Sequence, residues 1–427
     1  MFLKSIELKN FRCFSNLKVE LDKRLTVIVG NNGSGKSTIL EAAAIAAGTL
    51  TSAMDGLTNY SIKKTDAHYK YYDLGSNVDV QPQFPVEIVA EGIVDGKTLT
   101  WTRILNSAKG RGSLAAAKQL TEIAGNYTKR IREGDETLIL PIISYYGTGR
   151  LWNQHREKKS NILEKNNRSN GYVDSLDGAA NDKLMMKWFQ KMTLQQFQRG
   201  KMIPEFTAVK MAMEQAFRSI TGFSDVEVQF NLDTAEIDIL YFDENNEHVR
   251  MPMSSLSDGY KCTISLIADI AYRMAILNPQ LLDNVLTETD GIVLIDEVDL
   301  HLHPSWQKRI LSDLTEIFPK VQFIVSTHAP EVINSVKRES IVVLDCGDIC
   351  MTSNETYGKD ANTILREVMG VSARPNRIKG MFESIYDLID QEEWSQAELA
   401  IERLETEIGE NDPEVNACRV RLELEQM

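Results

Sequence analysis

Ser5-Ile6-Glu7-Leu8-Lys9 alternates polar and apolar positions and predicts a half-buried strand over Phe2–Lys9. A second strand, Leu25–Val29, is apolar and β-branched and runs into a glycine-punctuated loop. A helix follows from Ser37 through Ile39 to Ala47. Residues 48–84 are polar and weakly patterned. Pro85–Glu91 and Lys97–Leu105 then read as a hairpin turning at Asp95-Gly96, and Thr137–Tyr145 as a further strand. Asp182–Gln198 and Phe206–Ile220 have helical periodicity, which places Met186, Phe189, Met192, Phe197, Met211 and Phe217 in the core. Val226–Phe230 and Ala235–Phe242 form an antiparallel pair. Beyond Ser257 a long apolar helix runs to Leu277, followed by the strands Gly291–Ile295, Val321–Val325 and Ile341–Leu344. Strands alternating with helices predict an α/β fold with a parallel sheet covered on its faces.

Composition changes the picture at two places. From Arg150 to Arg168 the chain is rich in Lys, Arg and Asn without periodicity, a basic surface loop that could meet nucleic acid. After Arg374-Pro375 it becomes acidic and helical over Ile378–Gln391, Trp394–Ile408 and Asp412–Leu424, with about nine net negative charges. Apolar stripes there fall on Ile378, Met381, Ile385 and Leu388, and on Trp394, Ala397, Ile401 and Leu404. The expected organisation is 1–150, 151–245 with the basic loop and a helical lobe, 246–376, and an acidic helical module at 377–427. The net charge of −14 argues against indiscriminate nucleic-acid binding over the whole surface but leaves room for a local basic groove. Five cysteines without regular spacing, Cys346 and Cys350 among them, do not form a disulfide framework. The start of the chain lacks the pattern of a signal peptide, and no apolar run is long enough to span a bilayer; the expected compartment is the cytoplasm.

The chemistry begins at Gly30-Asn31-Asn32-Gly33-Ser34-Gly35-Lys36-Ser37-Thr38, which fits G-x-x-x-x-G-K-[ST] between a strand and a helix. Glycines let successive N–H groups turn inward around a phosphate. The helix N-terminus and Lys36 add positive charge, and Ser37 offers a hydroxyl to Mg²⁺. The loop implies binding of a nucleoside triphosphate.

The strand Gly291–Ile295 ends in Asp296-Glu297. Asp296 is placed to hold Mg²⁺ opposite Ser37, and Glu297 to activate the attacking water. Leu256-Ser257-Asp258-Gly259 opens another helix and makes a second anion-binding end. One triphosphate needs only one, so the second is expected to cap a nucleotide held by a partner chain in a head-to-tail, isologous dimer. Arg12, at the end of the first strand, reaches the phosphates if that strand neighbours the loop strand.

Together, Gly30–Ser37, Leu256–Gly259, Asp296-Glu297, Asp299 and His328 resemble the ABC-type ATPase heads of the RecF, SMC and OLD families, over roughly residues 1–345. Ile6–Phe14 is similar to their N-terminal strand and arginine. The resemblance implies a P-loop fold with a mixed central sheet and helical lobe, ATP and Mg²⁺ as ligands, and ATP hydrolysis. It also implies that Ser257 contacts the γ-phosphate in trans, that Asp299 lies at the dimer interface and that His328 senses the γ-phosphate. The signature reads LSDGY rather than LSGGQ, and the glutamine of the family's lid loop is not evident; Gln154 is a candidate, and Arg150 is another residue that could do its work. His301 and His303 have the look of a metal pair, but Asp299-Leu-His-Leu-His-Pro304 resembles this family's interface loop.

Tyr145–Trp152, Tyr357–Leu365, Val368-Met369-Gly370 and Arg374-Pro375 are further similar to the ATPase subunits of Septu-type antiphage systems (PtuA), including those attached to retrons. Such ATPases work beside an HNH nuclease, PtuB. The chain has six histidines and no His-Asn-His cluster, so the resemblance implies an ATP-gated regulator or scaffold of a partner nuclease. A RecF-like DNA-binding repair ATPase, and a defence ATPase that holds a different toxic effector, are the alternatives.

Overall fold

A computed structural model describes every residue except 59, 76, 111, 151–166, 179–181, 346, 351–354, 373, 410 and 427. Most of the basic loop, Gln154 and Cys346 therefore lie outside the described residues.

The chain opens with the hairpin β1 (Phe2–Phe11) and β2 (Phe14–Glu20), then β3 (Leu25–Gly30) and α1 (Lys36–Ser52) on either side of the glycine loop. Next come β4 (Tyr69–Leu74), β5 (Asn77–Pro82), β6 (Val86–Val94), β7 (Lys97–Leu105) and α2 (Lys118–Arg132). The middle holds β8 (Ile142–Tyr146), α3 (Asp182–Arg199), α4 (Pro204–Thr221), β9 (Glu227–Asn231), β10 (Glu236–Phe242), β11 (His248–Pro252) and α5 (Asp258–Leu277). After it follow α6 (Val285–Glu288), β12 (Gly291–Ile295), α7 (Pro304–Gln307), α8 (Ile310–Ile317), β13 (Val321–Thr327), α9 (Pro330–Ile333), β14 (Ile341–Asp345) and β15 (Asp348–Cys350).

A six-stranded sheet of order β15-β14-β3-β13-β12-β8 is parallel except for β15. Its inner strands β3, β13 and β12 are almost wholly buried, as a sheet covered on both faces requires. An antiparallel sheet of order β2-β1-β6-β7 lies beside α1, whose run Ala42–Ala47 is buried throughout. Small side chains there let both sheets approach the helix closely, and Trp101 Nε1 of β7 donates to Ala46 O at 3.0 Å.

Several expectations change. The first strand extends to Phe11 and is followed by β2, because Asn10 and Arg12 take left-handed conformations (φ 52° and 50°) and turn the chain without glycine. Thr137–Tyr145 shortens to Ile142–Tyr146, and β11 adds a third strand to the pair β9–β10. The weakly patterned segment holds the ribbon β4–β5, and Tyr71 on it is 71% exposed. Phe189 and Phe217 are buried as expected, but Phe197 is 87% exposed and Met211 is also exposed.

Compact packing divides the chain into Met1–Lys359 and Asp360–Met427. The second unit opens where the Asp360 side chain accepts from Asn362 N and Thr363 N to cap α10 (Ala361–Glu367). The sequence puts the tail's start at 377, where composition shifts. In this unit α11 (Asn376–Asp390), α12 (Trp394–Ile408) and α13 (Pro413–Glu425) close a core of Phe382, Ile385, Ile389, Ala397, Ile401, Leu404, Val415, Cys418 and Leu422. The stripe of α11 centres on Phe382 and Ile389, and Met381 and Leu388 sit at its margin.

Candidate functional site

The parallel strands bring their C-terminal ends to one edge, where open α/β sheets bind ligands. Register fixes the neighbours: Gly30 pairs with Leu344, Val29 with Thr327, and Ile295 with both Val325 and Tyr146. Just beyond those pairs stand Asn31, His328, Asp296 and Gly147, staggered along the same C-terminal edge of the sheet.

The glycine loop wraps the Lys36 side chain. Its Nζ donates to Gly30 O at 2.9 Å and Asn31 O at 3.0 Å, and Ser34 N–H turns back to Asn31 O at 3.1 Å. Gly35 caps α1 at φ 104°, and a Cβ there would lie 2.3 Å from the Phe14 ring, so the β1–β2 hairpin leaves room only for glycine. Asn31, Asn32, Gly33 and Ser37 are exposed along the rim, and Thr38 is buried. The first N–H groups of α1 have no partner within the helix. Ser34 Oγ is buried without a hydrogen-bond partner in this cradle, an orphaned polar atom of the kind a bound phosphate satisfies.

The acidic motif is held as firmly. Ser326 Oγ donates to Asp296 Oδ1 at 2.5 Å and accepts from Glu297 N–H at 2.8 Å. Thr327 Oγ1 donates to Asp299 Oδ1 at 2.6 Å. Glu297 has φ 49°, a left-handed conformation that costs a non-glycine residue energy and is found where a side chain must be aimed. Burial lowers the Lys36 pKa, against the opposing pull of Asp296, Glu297 and Asp299. Burial, with Lys36 nearby, likewise lowers that of His328, despite the same three carboxylates. Lys36, His328 and the three carboxylates thus share one field, in which the charged form of His328 is disfavoured.

Arg12 is placed differently from the expectation. Its strand pairs with β2 and β6 and not with β3, and its guanidinium meets Asp66 at 2.9 Å and Glu41 at 2.5 Å. Ser257 and Asp258 are exposed at the start of α5 and share no hydrogen bond or ion pair with the Lys36 crevice of their own chain. Gly259 instead packs on the loop after the acidic motif: a Cβ there would come 2.7 Å from His301 O. Tyr260 and Trp306 rings meet at 4.5 Å. His303 Nδ1 lies 2.8 Å from Ser305 Oγ and accepts from Ser305 N–H, capping α7. Among the described residues no cluster of three or more His, Cys, Asp or Glu is arranged to hold a metal ion by itself, so a divalent ion in the crevice would need hydroxyl or phosphate oxygens as well.

Three arrangements emerge only in the structure. Ser326 orients both acidic residues, and only the polar ending of an apolar strand hints at it. Arg150, 4% exposed, donates to backbone carbonyls of the acidic motif. Beneath it, Tyr146 OH donates to Asp269 Oδ2 at 2.8 Å, and Asp269 pairs with Arg273 one turn later on the buried α5. A separate cavity of about 370 Å³ lies between α3, the start of α4 and the end of α5, lined by Lys187, Trp188, Lys191 and Ile276 among others.

Comparison with known proteins agrees with this geometry. A family model described as an AAA domain matches residues 5–221, and a second AAA-domain model matches 204–334. The chain is 29% identical to the Retron Vc95 probable ATPase of Vibrio cholerae serotype O1 biovar El Tor, over 87% of this chain and 80% of that one. It is 28% identical to the Septu protein PtuA of Bacillus mycoides (strain KBAB4), over 80% of this chain but 40% of the other. The SMC head solved with the C-winged helix domain of ScpA aligns over 82% of this chain and 98% of its own, with 17% identity and a TM-score of 0.46. No helix among the described residues is long and apolar enough to cross a membrane. The chain belongs to the AAA-domain family and is an ATPase, similar to the retron ATPases and Septu PtuA.

Proposed function

We propose that this ATPase binds Mg-ATP in the crevice around Lys36 and uses the nucleotide state to gate or scaffold a partner HNH nuclease in an antiphage complex. The observation that carries the nucleotide chemistry is the convergence of Lys36, Asp296, Glu297 and His328 at the ends of β3, β12 and β13. Backbone N–H groups of the glycine loop and of the first turn of α1, other than Ser34 N–H, and the Lys36 ammonium receive the β- and γ-phosphates. Ser37 Oγ and Asp296 would hold Mg²⁺, and the ion neutralises charge on the phosphates when bound. The exposed Ser37 hydroxyl and the Asp296 carboxylate, aimed by Ser326, fit a hard cation. Glu297 accepts a proton from the water that attacks the γ-phosphorus, as the bond to the ADP oxygen breaks. His328 donates to a γ-phosphate oxygen.

Ser257, Asp258 and Gly259 lie outside their own chain's crevice, which supports their use on the nucleotide of a partner chain in a head-to-tail homodimer. Arg12 fixes the base of α1 through Glu41 and borders the phosphate site. Retron and Septu relatives supply the defence context. The acidic helical tail is the docking element for a second subunit or for further copies, and nucleic acid is met through the nuclease or through the basic loop.

The test is whether an HNH reading frame adjoins this gene and, with that frame co-expressed, affinity capture and phage challenge. The proposal expects a captured complex and protection that Lys36→Ala or deletion of 377–427 abolishes. A chain that captures no nuclease, or protects equally well as Lys36→Ala, refutes it.

A further inference from the structure

Arg150 follows β8 by a tight turn, its N–H donating to Gly147 O at 3.2 Å. Its buried guanidinium spreads over three elements. Nη1 donates to Asp296 O at 2.7 Å and to Gly147 O at 3.3 Å, Nη2 donates to Glu297 O at 2.9 Å, and Nε lies 3.3 Å from Cys262 Sγ on α5. The two carbonyls of the acidic motif belong to the peptides on either side of the Glu297 Cα. A planar, rigid fork that holds both peptides fixes the angle between them, which is to say the φ and ψ of Glu297. The N-terminal peptide is pinned a second time, by Ser326 Oγ at the Glu297 N–H. The C-terminal peptide is also held by Val298 N–H to Ser326 O at 2.9 Å and by Leu300 N–H to Glu297 O at 3.0 Å, so five hydrogen bonds, two of them from Arg150, over-determine the left-handed backbone of Glu297. Its carboxylate direction follows from that backbone. The remaining arm reaches the signature helix, five residues after Ser257.

We propose that Arg150 is a positioning residue for hydrolysis, which aims Glu297 through its backbone and ties that aim to the seat of α5. This rests on the reading of Glu297 as the water-activating group. Four of its five N–H donors are spent on backbone carbonyls and a thiol, so Arg150 acts as a strut of the acidic motif rather than as a ligand of the nucleotide. A shift of α5 when Ser257 engages a partner's nucleotide would pull on the fork that orients Glu297. Hydrolysis in one site would in this way respond to occupancy of the other.

The experiment compares wild type, Arg150→Lys, Cys262→Ala, the double variant and Glu297→Gln in steady-state Mg-ATP hydrolysis, with nucleotide affinity measured separately. Arg150→Lys keeps a buried cation but loses the fork. Its kcat should fall about 10- to 100-fold, as misaimed catalytic groups do, with KM and nucleotide Kd within about twofold. Cys262→Ala leaves both carbonyl bonds and should lower kcat by a few-fold, an effect that disappears in the Arg150→Lys background. In Arg150→Ala, added ethylguanidinium should restore part of kcat where ethylammonium does not. Should Arg150→Ala fail to fold, the lysine and Cys262 variants still decide. A folded Arg150→Lys with wild-type kcat overturns the proposal, as does a loss confined to KM and Kd. Additive effects of Cys262→Ala and Arg150→Lys overturn the link to α5. Wild-type turnover in Glu297→Gln instead removes the underlying assignment of Glu297, a failure distinguishable from the others.

Discussion

Replacing Arg273 with Met tests the packing beneath the acidic motif. Arg273 and Asp269 are both almost fully buried on α5, joined at 2.7 Å. Arg273 Nη1 also donates to Gly171 O at 3.0 Å and Val173 O at 2.9 Å, and Tyr146 OH is the other donor to Asp269 Oδ2. In Arg273→Met the side chain retains the stem's volume, but a buried carboxylate loses its countercharge and two carbonyls lose their donor. Breaking a buried pair from one side costs about 3–5 kcal/mol, most of it the stranded charge. For a unit of this size that is a fall in Tm of about 4–7 °C. Asp269→Asn added to Arg273→Met removes the charge while keeping the shape, and should recover about 1–3 kcal/mol. Urea unfolding followed by tryptophan fluorescence reads this directly, since Trp188 stacks edge-on to Tyr272 at 5.3 Å, next to Arg273. A Trp394→Phe background confines the signal to the larger unit. An Arg273→Met protein within about 1 kcal/mol of wild type, or a double variant less stable than Arg273→Met, refutes the reasoning.

Two further outcomes follow from the crevice. Ser257→Arg should weaken ATP-dependent dimerisation and hydrolysis without lowering Tm, and mixing it with Lys36→Ala should restore activity, because one site of the mixed dimer keeps both good halves; no recovery in verified mixed dimers contradicts the shared site. Burial lowers the His328 pKa, so the unfolded chain binds the proton more tightly, and stability present above the ordinary histidine value of about 6.5 is lost as the pH falls through it. His328→Gln should flatten that acid-side decline in Tm, and an unchanged slope would count against it.

What the sequence disclosed, and what it hid, follows from how local each determinant is. The glycine loop, the acidic pair and the signature are contiguous, and each carries its chemistry in residue type and spacing. The parallel sheet was legible because its strands are buried on both faces and read as apolar runs. Where polar residues do structural work over long range, the pattern fails. The turn at Asn10 and Arg12 contains no glycine to announce it, and β4–β5 has no buried face to give it a period. Asp269 and Arg273 sit inside an apolar helix, and only the fold brings Tyr146, 123 residues away, to meet them. Arg12 was read from its place at a strand end, but its strand joins the other sheet. Arg150 could be singled out in the sequence as a stand-in for the lid glutamine, but its hold on two carbonyls of the acidic motif appears only in the fold.

The central claim is that one crevice binds ATP through Lys36 and cleaves it through Glu297. The most direct measurement follows bound nucleotide and released phosphate in the same samples of wild type, Lys36→Ala and Glu297→Gln with Mg-ATP. Glu297→Gln should hold ATP as well as wild type and turn it over about 10²-fold or more slowly, whereas Lys36→Ala should neither hold nor cleave it. Turnover at the wild-type rate in Glu297→Gln, or undiminished ATP binding in Lys36→Ala, would contradict the account.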